Sequence, residues 1–242
     1  PFFYKFDLGL PSPFGLLSVM IVLVVGVLTT TLVRHRRYAA SRFPLLRGLA
    51  LIPRMRILLV IFFSLGVGFM LLEIAFFQKM TLYMEQPILA LTVLLFTLLL
   101  GTGLGSLCSS FVKKHLVSAL ASASLITMTL TLVYTIYFPE LFEIGLDPRV
   151  TAALFLFPLG LFLGVPFPLA IRLMKEEHLD PFVDSMWGVN GIASVVGSAL
   201  AMIVGIMLGF SYALYIGALL YGVVSLLGVL LTRPFLQEEA VP

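Results

Sequence analysis

The chain has 242 residues, of which 60% are hydrophobic and only 11% charged, and its mean hydropathy is +1.12. Soluble domains are about 25% charged, so this chain lacks the polar residues that would cover a water-exposed surface. The composition excludes an ordinary soluble protein and predicts a protein whose solvent is the lipid bilayer.

The formal net charge of +3 comes from basic residues in short runs between apolar segments. This distribution is typical of membrane-orientation signals and argues against nucleic-acid binding. The single cysteine, Cys108, predicts neither an internal disulfide nor a cysteine-based metal cluster. The three histidines fall in predicted connections far apart in the chain, so we expect no metal site and no cofactor.

Seven apolar stretches are long enough to cross a hydrocarbon core of about 30 Å as helices. We predict an all-α polytopic membrane protein, a transporter-like helical array, with spans at residues 14–33, 57–77, 88–108, 116–138, 150–174, 187–208 and 211–231. Residues 1–13 are predicted as an extracytoplasmic segment, 14–232 as the transmembrane domain and 233–242 as a cytoplasmic tail. Because the chain opens with Pro1 rather than Met, we expect it to be part of a longer or processed protein.

The connection after the first span is rich in arginine, including Arg34, Arg36 and Arg37. Lys and Arg also cluster in the third and fifth connections, so the positive-inside rule predicts these three connections in the cytoplasm. Seven spans then place the N-terminus outside and the C-terminus inside. We interpret the arginines as a topology determinant lying on the anionic leaflet, with a docking surface for an acidic partner or lipid headgroup as the alternative.

The second predicted span contains Glu73 and, five positions later, Gln78. We place Glu73 about one turn inside the outer end of this span. An ionisable side chain inside a span is costly and faces protein or water. One interpretation is a proton, cation or substrate contact, and the other is a carboxylate that reaches the interface or hydrogen-bonds a neighbouring helix.

The third span ends in a glycine-rich segment, in which Gly101, Gly103 and Gly105 alternate with larger residues. A phosphate-binding loop would need a preceding strand and a soluble βαβ unit, which a hydrophobic helix does not supply. The spacing therefore favours close helix crossing.

The fifth span carries a similar step, Gly160 and Gly164, followed by Pro166 and Pro168. Proline removes a backbone donor, so we expect a kink there. Broken helices recur at transporter binding sites, and they also occur as simple bends.

Asn190 lies early in the sixth span, where a buried amide is typical of a group that fastens helices together. We place it near the cytoplasmic face, too far from Glu73 for a direct pair. A ridge of small residues follows at a spacing of four: Ala193, Gly197, Ala201, Gly205 and Gly209. Such a ridge predicts close packing against another helix, either of this chain or of another subunit.

Four of these segments, taken in order, resemble the membrane portion of bacterial spermidine synthase-like integral membrane proteins. They are residues 65–75 with Gln78, residues 103–106, residues 164–168 and residues 187–197, and the opening Pro1-Phe2-Phe3-Tyr4 resembles the stretch that follows the synthase-like domain. The resemblance implies the bacterial cytoplasmic membrane and an upstream methyltransferase-like domain that would hold any aminopropyl-transfer site. It carries no catalytic residue onto this chain.

Three functions are compatible with these features. The first is a non-catalytic scaffold or accessory subunit that packs within a larger membrane complex. The second is a transporter-like module for a small cationic, polyamine-like metabolite with Glu73 as its charged contact. The third is the membrane anchor of an aminopropyltransferase-like enzyme. We expect the lipid bilayer and other membrane subunits as partners.

Overall fold

The computed structural model describes residues 53–138, 140, 143 and 145–231. Four predictions fall outside these residues: the N-terminal segment 1–13, the first span at 14–33, the lipid contact at Arg34, Arg36 and Arg37, and the tail 233–242. They stay predictions.

The described part of the chain consists of α-helices and a short 3-10 turn at Asp180–Phe182. In chain order the helices are α1 (Pro53–Met84), α2 (Pro87–Ser109), α3 (Leu116–Ile136), α4 (Pro148–Leu163), α5 (Pro166–Glu176), α6 (Val183–Met207) and α7 (Phe210–Leu231). Proline at the first position of α1, α2, α4 and α5 fits these starts, because that position needs no N–H donor.

Six helical segments of the described residues are long and apolar enough to cross a membrane. They are Arg54–Met84, Pro87–Ser109, Leu116–Ile136, Pro148–Glu176, Asp180–Met207 and Phe210–Leu231. The predicted all-helical, multi-pass character is confirmed, and each of the last six predicted spans coincides with one of these segments. The seventh span, at 14–33, is outside the described residues.

Helix α1 continues seven residues beyond the predicted end of its span at residue 77. Hydropathy falls at Lys79, but the Lys79 ammonium lies 4.7 Å from the centroid of the Phe138 ring, and Met80 and Met84 are buried. Tertiary packing therefore keeps the last two turns helical where the hydropathy signal ends.

Helix α1 lies at the centre of the bundle. Its most extensive contacts are with α6 and α7, while α7 also packs along α3 and α2 packs along α4. The largest buried side chains include Phe62, Phe76 and Tyr221. Apolar side chains also cover the outer surface, where Phe96 and Leu219 are about two-thirds exposed, as expected for a lipid-facing surface.

The two ends of the bundle differ in charge. At the end that we call the basic end, Arg54 of α1 forms an ion pair with Glu177, and the Arg172 guanidinium donates to the carbonyl oxygens of Ser109 (2.7 Å) and Val112 (2.6 Å). Among the described residues this end carries six Lys and Arg (Arg54, Arg56, Lys113, Lys114, Arg172 and Lys175) and four carboxylates (Glu176, Glu177, Asp180 and Asp184). The opposite, acidic end carries Lys79 and Arg149 with Glu85, Glu140, Glu143 and Asp147.

Candidate functional site

The fifth predicted span is broken in the middle of its length. Helix α4 ends at Leu163 and α5 begins at Pro166, so Gly164 and Val165 lie between the two helices. Pro168 has no N–H, so the carbonyl of Gly164 cannot receive the hydrogen bond that a continuous helix would supply four residues later. The predicted interruption at Pro166 and Pro168 is present, and it leaves polar backbone inside the bundle.

Glycines bring α2 against this break. A methyl group added at Gly105 would overlap the Leu161 carbonyl oxygen, and one added at Gly164 would overlap the Thr102 carbonyl oxygen. At Gly101 the added group would lie 2.9 Å from the Phe157 oxygen. The two backbones touch directly, and this contact places Thr102 of α2 beside the break.

A second close crossing joins α6 to α1. The Asn190 Nδ2 donates to the Phe62 carbonyl oxygen at 3.0 Å, and Ser194 Oγ donates to the Asn190 carbonyl oxygen at 2.9 Å. A methyl group at Gly66 would lie 2.5 Å from the main-chain carbonyl oxygen of Asn190, and one at Gly197 would lie 2.7 Å from the main-chain carbonyl oxygen of Val67. The amide of Asn190 therefore fastens α6 to α1, and only glycine fits at the crossing.

Between these two crossings lies a cavity of about 270 Å³. Each of the four segments that carry the family resemblance contributes to its wall. The lining residues are Leu65, Gly66 and Phe69 of α1, Thr102 and Ser106 of α2, Leu163 of α4, Gly164 of the break, Phe167 and Pro168 of α5, Asn190 and Ser194 of α6, and Tyr221 of α7.

An aromatic wall lies on the side of the cavity nearer the basic end. The Phe167 ring meets Phe62 edge-on at 5.5 Å between centroids and Trp187 at 5.0 Å. Phe62 and Trp187 each lie about one helical turn closer to the basic end than the cavity residues Gly66 and Asn190.

The three predicted intramembrane polar residues are not brought together. Asn190 lines the cavity, whereas Glu73 and Gln78 are not among its lining residues. Glu73 is partly buried, seven residues beyond Gly66 on the same face of α1, and about 16 Å from the end of that helix at Met84. It therefore lies deeper than the predicted single turn, because α1 is longer than the hydropathy pattern indicated.

The small residues of α6 pack inside this chain. Ala193 and Ala201 are fully buried, Gly197 faces α1, and a methyl group at Gly205 would overlap the Phe210 ring of α7. Gly160 likewise faces α2, where an added methyl group would lie 3.2 Å from the Gly101 Cα.

Two of the predicted packing positions, Gly103 and Gly209, do not pack against a helix within the described part of this chain. A methyl group at Gly103 would meet nothing within 4 Å, because this residue faces away from α4. The same holds for Gly209, whose φ of +102° instead makes it the turn residue between α6 and α7. The spacing of four along α6 continued past the helix end, so the pattern alone did not separate packing from turning.

Three side chains of the cavity or of the helix contacts were not singled out from the sequence. Thr102 and Tyr221 line the cavity. The sequence of α7 does not single out Tyr221, because the same helix also contains Tyr212 and Tyr215. Arg172 was interpreted only as an orientation charge. In the structure its guanidinium also donates to the carbonyl oxygen of Ser109, the last residue of α2, and to that of Val112 in the connection that follows.

Within the described residues, no group of three or more His, Cys, Asp or Glu side chains is placed to hold a metal ion. Comparison of the chain with protein-family models, with curated proteins and with solved structures gives no match. The resemblance to spermidine synthase-like membrane proteins stays a prediction.

Proposed function

We propose that this chain is a transporter-like membrane module that admits a small solute into the centre of its helical bundle. The observation that carries the proposal is the cavity of about 270 Å³ at the break between α4 and α5. Small-molecule sites are concave and mostly apolar with a few placed polar groups, and those of transporters lie near the membrane midplane at discontinuous helices. This cavity is likewise concave, has a mostly apolar lining with a few polar groups, and lies at a discontinuous helix.

The depth of the cavity supports passage of a solute more than packing alone. Ser194 lies eleven residues from the start of α6, about 16 Å into a helix of about 37 Å. Polar side chains at such depth are expensive when they face lipid. Ser194, Asn190 and Thr102 all line the cavity between the helices.

The scaffold hypothesis loses one of the two features that favoured it, the small-residue ridges, and keeps the other, the scarcity of ionisable residues inside the spans. Small-residue ridges suggested an external partner, but Gly197, Gly205 and Gly160 pack against helices of this same chain. The membrane-anchor hypothesis depends on a synthase-like domain joined to the chain. The gene sequence around this segment tests it directly, because absence of such a domain would end the hypothesis.

We also propose that the basic end faces the cytoplasm of a bacterial cell, with residues 14–33 as a seventh span that leaves the N-terminus outside and the C-terminus inside. The support is the contrast between six Lys and Arg residues at the basic end and two at the acidic end.

Cysteine accessibility tests whether solutes reach the cavity. In a Cys108→Ser background, Ser194→Cys places a thiol in the cavity wall, and Val195→Cys places one at nearly the same depth on the exposed apolar face of α6. In sealed membrane vesicles, we expect a charged methanethiosulfonate reagent to modify the Ser194→Cys variant at least about tenfold faster than the Val195→Cys variant, because the reagent does not enter hydrocarbon.

Equal rates at the two positions, or no reaction at Ser194→Cys, would overturn the proposal. Denaturation in detergent must expose both thiols to the reagent, which shows that each variant was present and reactive.

A further inference from the structure

The uncommitted hydrogen-bonding groups of the cavity include both donors and acceptors. Tyr221 is only 1% exposed and lines the cavity, and its hydroxyl forms no hydrogen bond with the described part of the chain. The Ser106 hydroxyl and the second N–H of the Asn190 amide are likewise without a partner there. Asn190 Oδ1 and the lone pairs of Thr102 Oγ1 can still accept. The cavity therefore complements a group that both donates and accepts, as a hydroxyl does.

The cavity offers no charge to balance that of an ionic solute. None of the described lining residues is Lys, Arg, His, Asp or Glu. An ion that leaves water without a partner of opposite charge loses its hydration energy, and nothing in the lining returns it. The chemistry of the lining therefore favours an uncharged group over a cation or an anion.

The wall of the cavity is thinnest between α2 and α6. Both helices line the cavity, but α2 packs along α4 and α6 packs along α1, and within the described part of the chain α2 and α6 have no extensive contact with each other. Ser106 of α2 lines the cavity and is also exposed at the outer surface of the bundle. Beside it Leu107, and on α6 Val195, are more than half exposed, as expected for side chains that face lipid. The cavity therefore meets the lipid-facing surface on this side.

Depth and volume limit what can enter there. Ser106 is three residues from Ser109, where α2 ends, which is about 5 Å along the helix axis. This side of the cavity therefore reaches close to the basic-end surface of the membrane, where water and lipid head groups are both present. The volume of about 270 Å³ is below the roughly 300–1,000 Å³ of pockets that enclose a drug-sized ligand. The cavity has room for a head group but not for an attached acyl chain.

We infer that the ligand of this cavity is an uncharged lipid amphiphile, whose hydroxyl-bearing head enters sideways between α2 and α6 while its acyl chain stays in the bilayer. The inference rests on the proposed function, because it makes this head group the solute that the cavity admits. Tyr221, Ser106 and Asn190 supply the hydrogen bonds to the head, and the apolar outer sides of α2 and α6 meet the chain.

Protection of a thiol in the cavity wall measures whether the cavity is occupied. The full chain with Cys108→Ser and Ser194→Cys is placed in phosphatidylcholine vesicles that contain monoolein, whose head carries two hydroxyls, and is treated with the charged methanethiosulfonate reagent. We expect monoolein to slow modification at least about fivefold, as it would if it filled most of the cavities. Methyl oleate, oleate and oleylammonium carry the same chain with a different head, and they should leave the rate unchanged.

Two controls accompany the protection assay. Free glycerol is the monoolein head without its chain, and it should not protect at the same total concentration, since it is not concentrated in the bilayer. A thiol at Ser110→Cys, exposed just beyond the end of α2, should react at the same rate in every mixture, which shows that the lipids do not act on the reagent itself.

A substitution on α7 locates the bound head. Tyr221→Phe keeps the ring and removes one donor from the cavity wall, so we expect the monoolein content that gives half-protection to rise about tenfold. The matched control is Tyr215→Phe on the same helix, whose ring is 40% exposed and does not line the cavity. It should leave protection by monoolein unchanged.

A photoreactive lipid tests the route. A monoolein analogue with a diazirine near the start of its acyl chain should form cross-links on α2 and α6 that excess monoolein competes away. Competed cross-links on α3, which has no extensive contact with either helix, would overturn entry between α2 and α6.

The outcomes separate this inference from the proposed function. Equal or stronger protection by methyl oleate, oleate, oleylammonium or free glycerol would overturn the inference and leave the solute cavity standing. So would a reactive Ser194→Cys thiol that no probe protects, or equal effects of Tyr221→Phe and Tyr215→Phe. Failure of Ser194→Cys to react in the absence of any probe overturns the proposed function and the inference together.

Discussion

Replacing Gly105 with Ala places a methyl group where α2 crosses α4. The added Cβ would overlap the carbonyl oxygen of Leu161, which is a backbone atom that no side-chain rotation can move aside. The two helices must therefore shift apart, and forcing extra atoms into a close contact costs about 1–3 kcal/mol. The better helix propensity of Ala returns at most about 1 kcal/mol, so we expect a net loss of stability of about 1–2 kcal/mol.

The matched control lies two residues away in the same glycine-rich segment. A methyl group at Gly103 meets nothing within 4 Å, so Gly103→Ala should gain helix propensity without a clash and be neutral or more stable. Gly160→Ala, whose Cβ would lie 3.2 Å from the Gly101 Cα, should fall between the two. The expected order of stability is Gly103→Ala, then Gly160→Ala, then Gly105→Ala.

Reversible unfolding in mixed detergent micelles measures this order. The single tryptophan, Trp187, packs edge-on against Phe167 and provides a fluorescence signal for loss of tertiary structure. Equal destabilisation by Gly103→Ala and Gly105→Ala would refute the α2–α4 crossing described above. A Gly105→Ala variant as stable as the unmodified chain would refute it too.

Three further changes are expected to alter stability in the same assay. Asn190→Leu removes the hydrogen bond from the Asn190 side-chain amide to the Phe62 carbonyl oxygen and should cost about 0.5–1.5 kcal/mol. An unchanged unfolding midpoint would argue against that hydrogen bond. Arg172→Lys replaces the two guanidinium nitrogens that contact the Ser109 and Val112 carbonyl oxygens by one ammonium nitrogen and should cost about 1–2 kcal/mol, whereas Lys175→Met at an exposed position should stay within about 0.5 kcal/mol. Arg54→Glu and Glu177→Arg should each destabilise, and the exchange of both should restore about 0.5–1 kcal/mol; strictly additive effects would show that the pair contributes nothing.

The positions of the membrane helices could be read from the sequence because each helix must bury about 20 consecutive apolar residues in lipid. Their boundaries were less accurate where the deciding force was packing. Helix α1 runs on to Met84 because Met80 and Met84 are buried by neighbouring helices, although Lys79 interrupts the hydropathy. A hydropathy window does not contain those neighbours.

The candidate site was likewise predictable from the sequence only in part. Asn190, Gly164 and Pro168 could be singled out as unusual residues in apolar spans, since a polar amide, a glycine or a proline is conspicuous there. That they share one cavity with Thr102 and Tyr221 depends on which helices cross. Those five residues come from four helices and the α4–α5 break, and their meeting is not encoded in any local pattern.

By itself the sequence determined the solvent of this protein, its helical class and the places where its helices approach closely, because these follow from composition and from spacing along a single helix. Only the tertiary structure decided what each small residue touches. Gly105 meets backbone and Gly103 meets nothing, although they are two residues apart in one motif, because successive positions of a helix face different directions around its axis. The same geometry places Asn190 in the cavity and leaves Glu73 about two turns beyond Gly66 along α1.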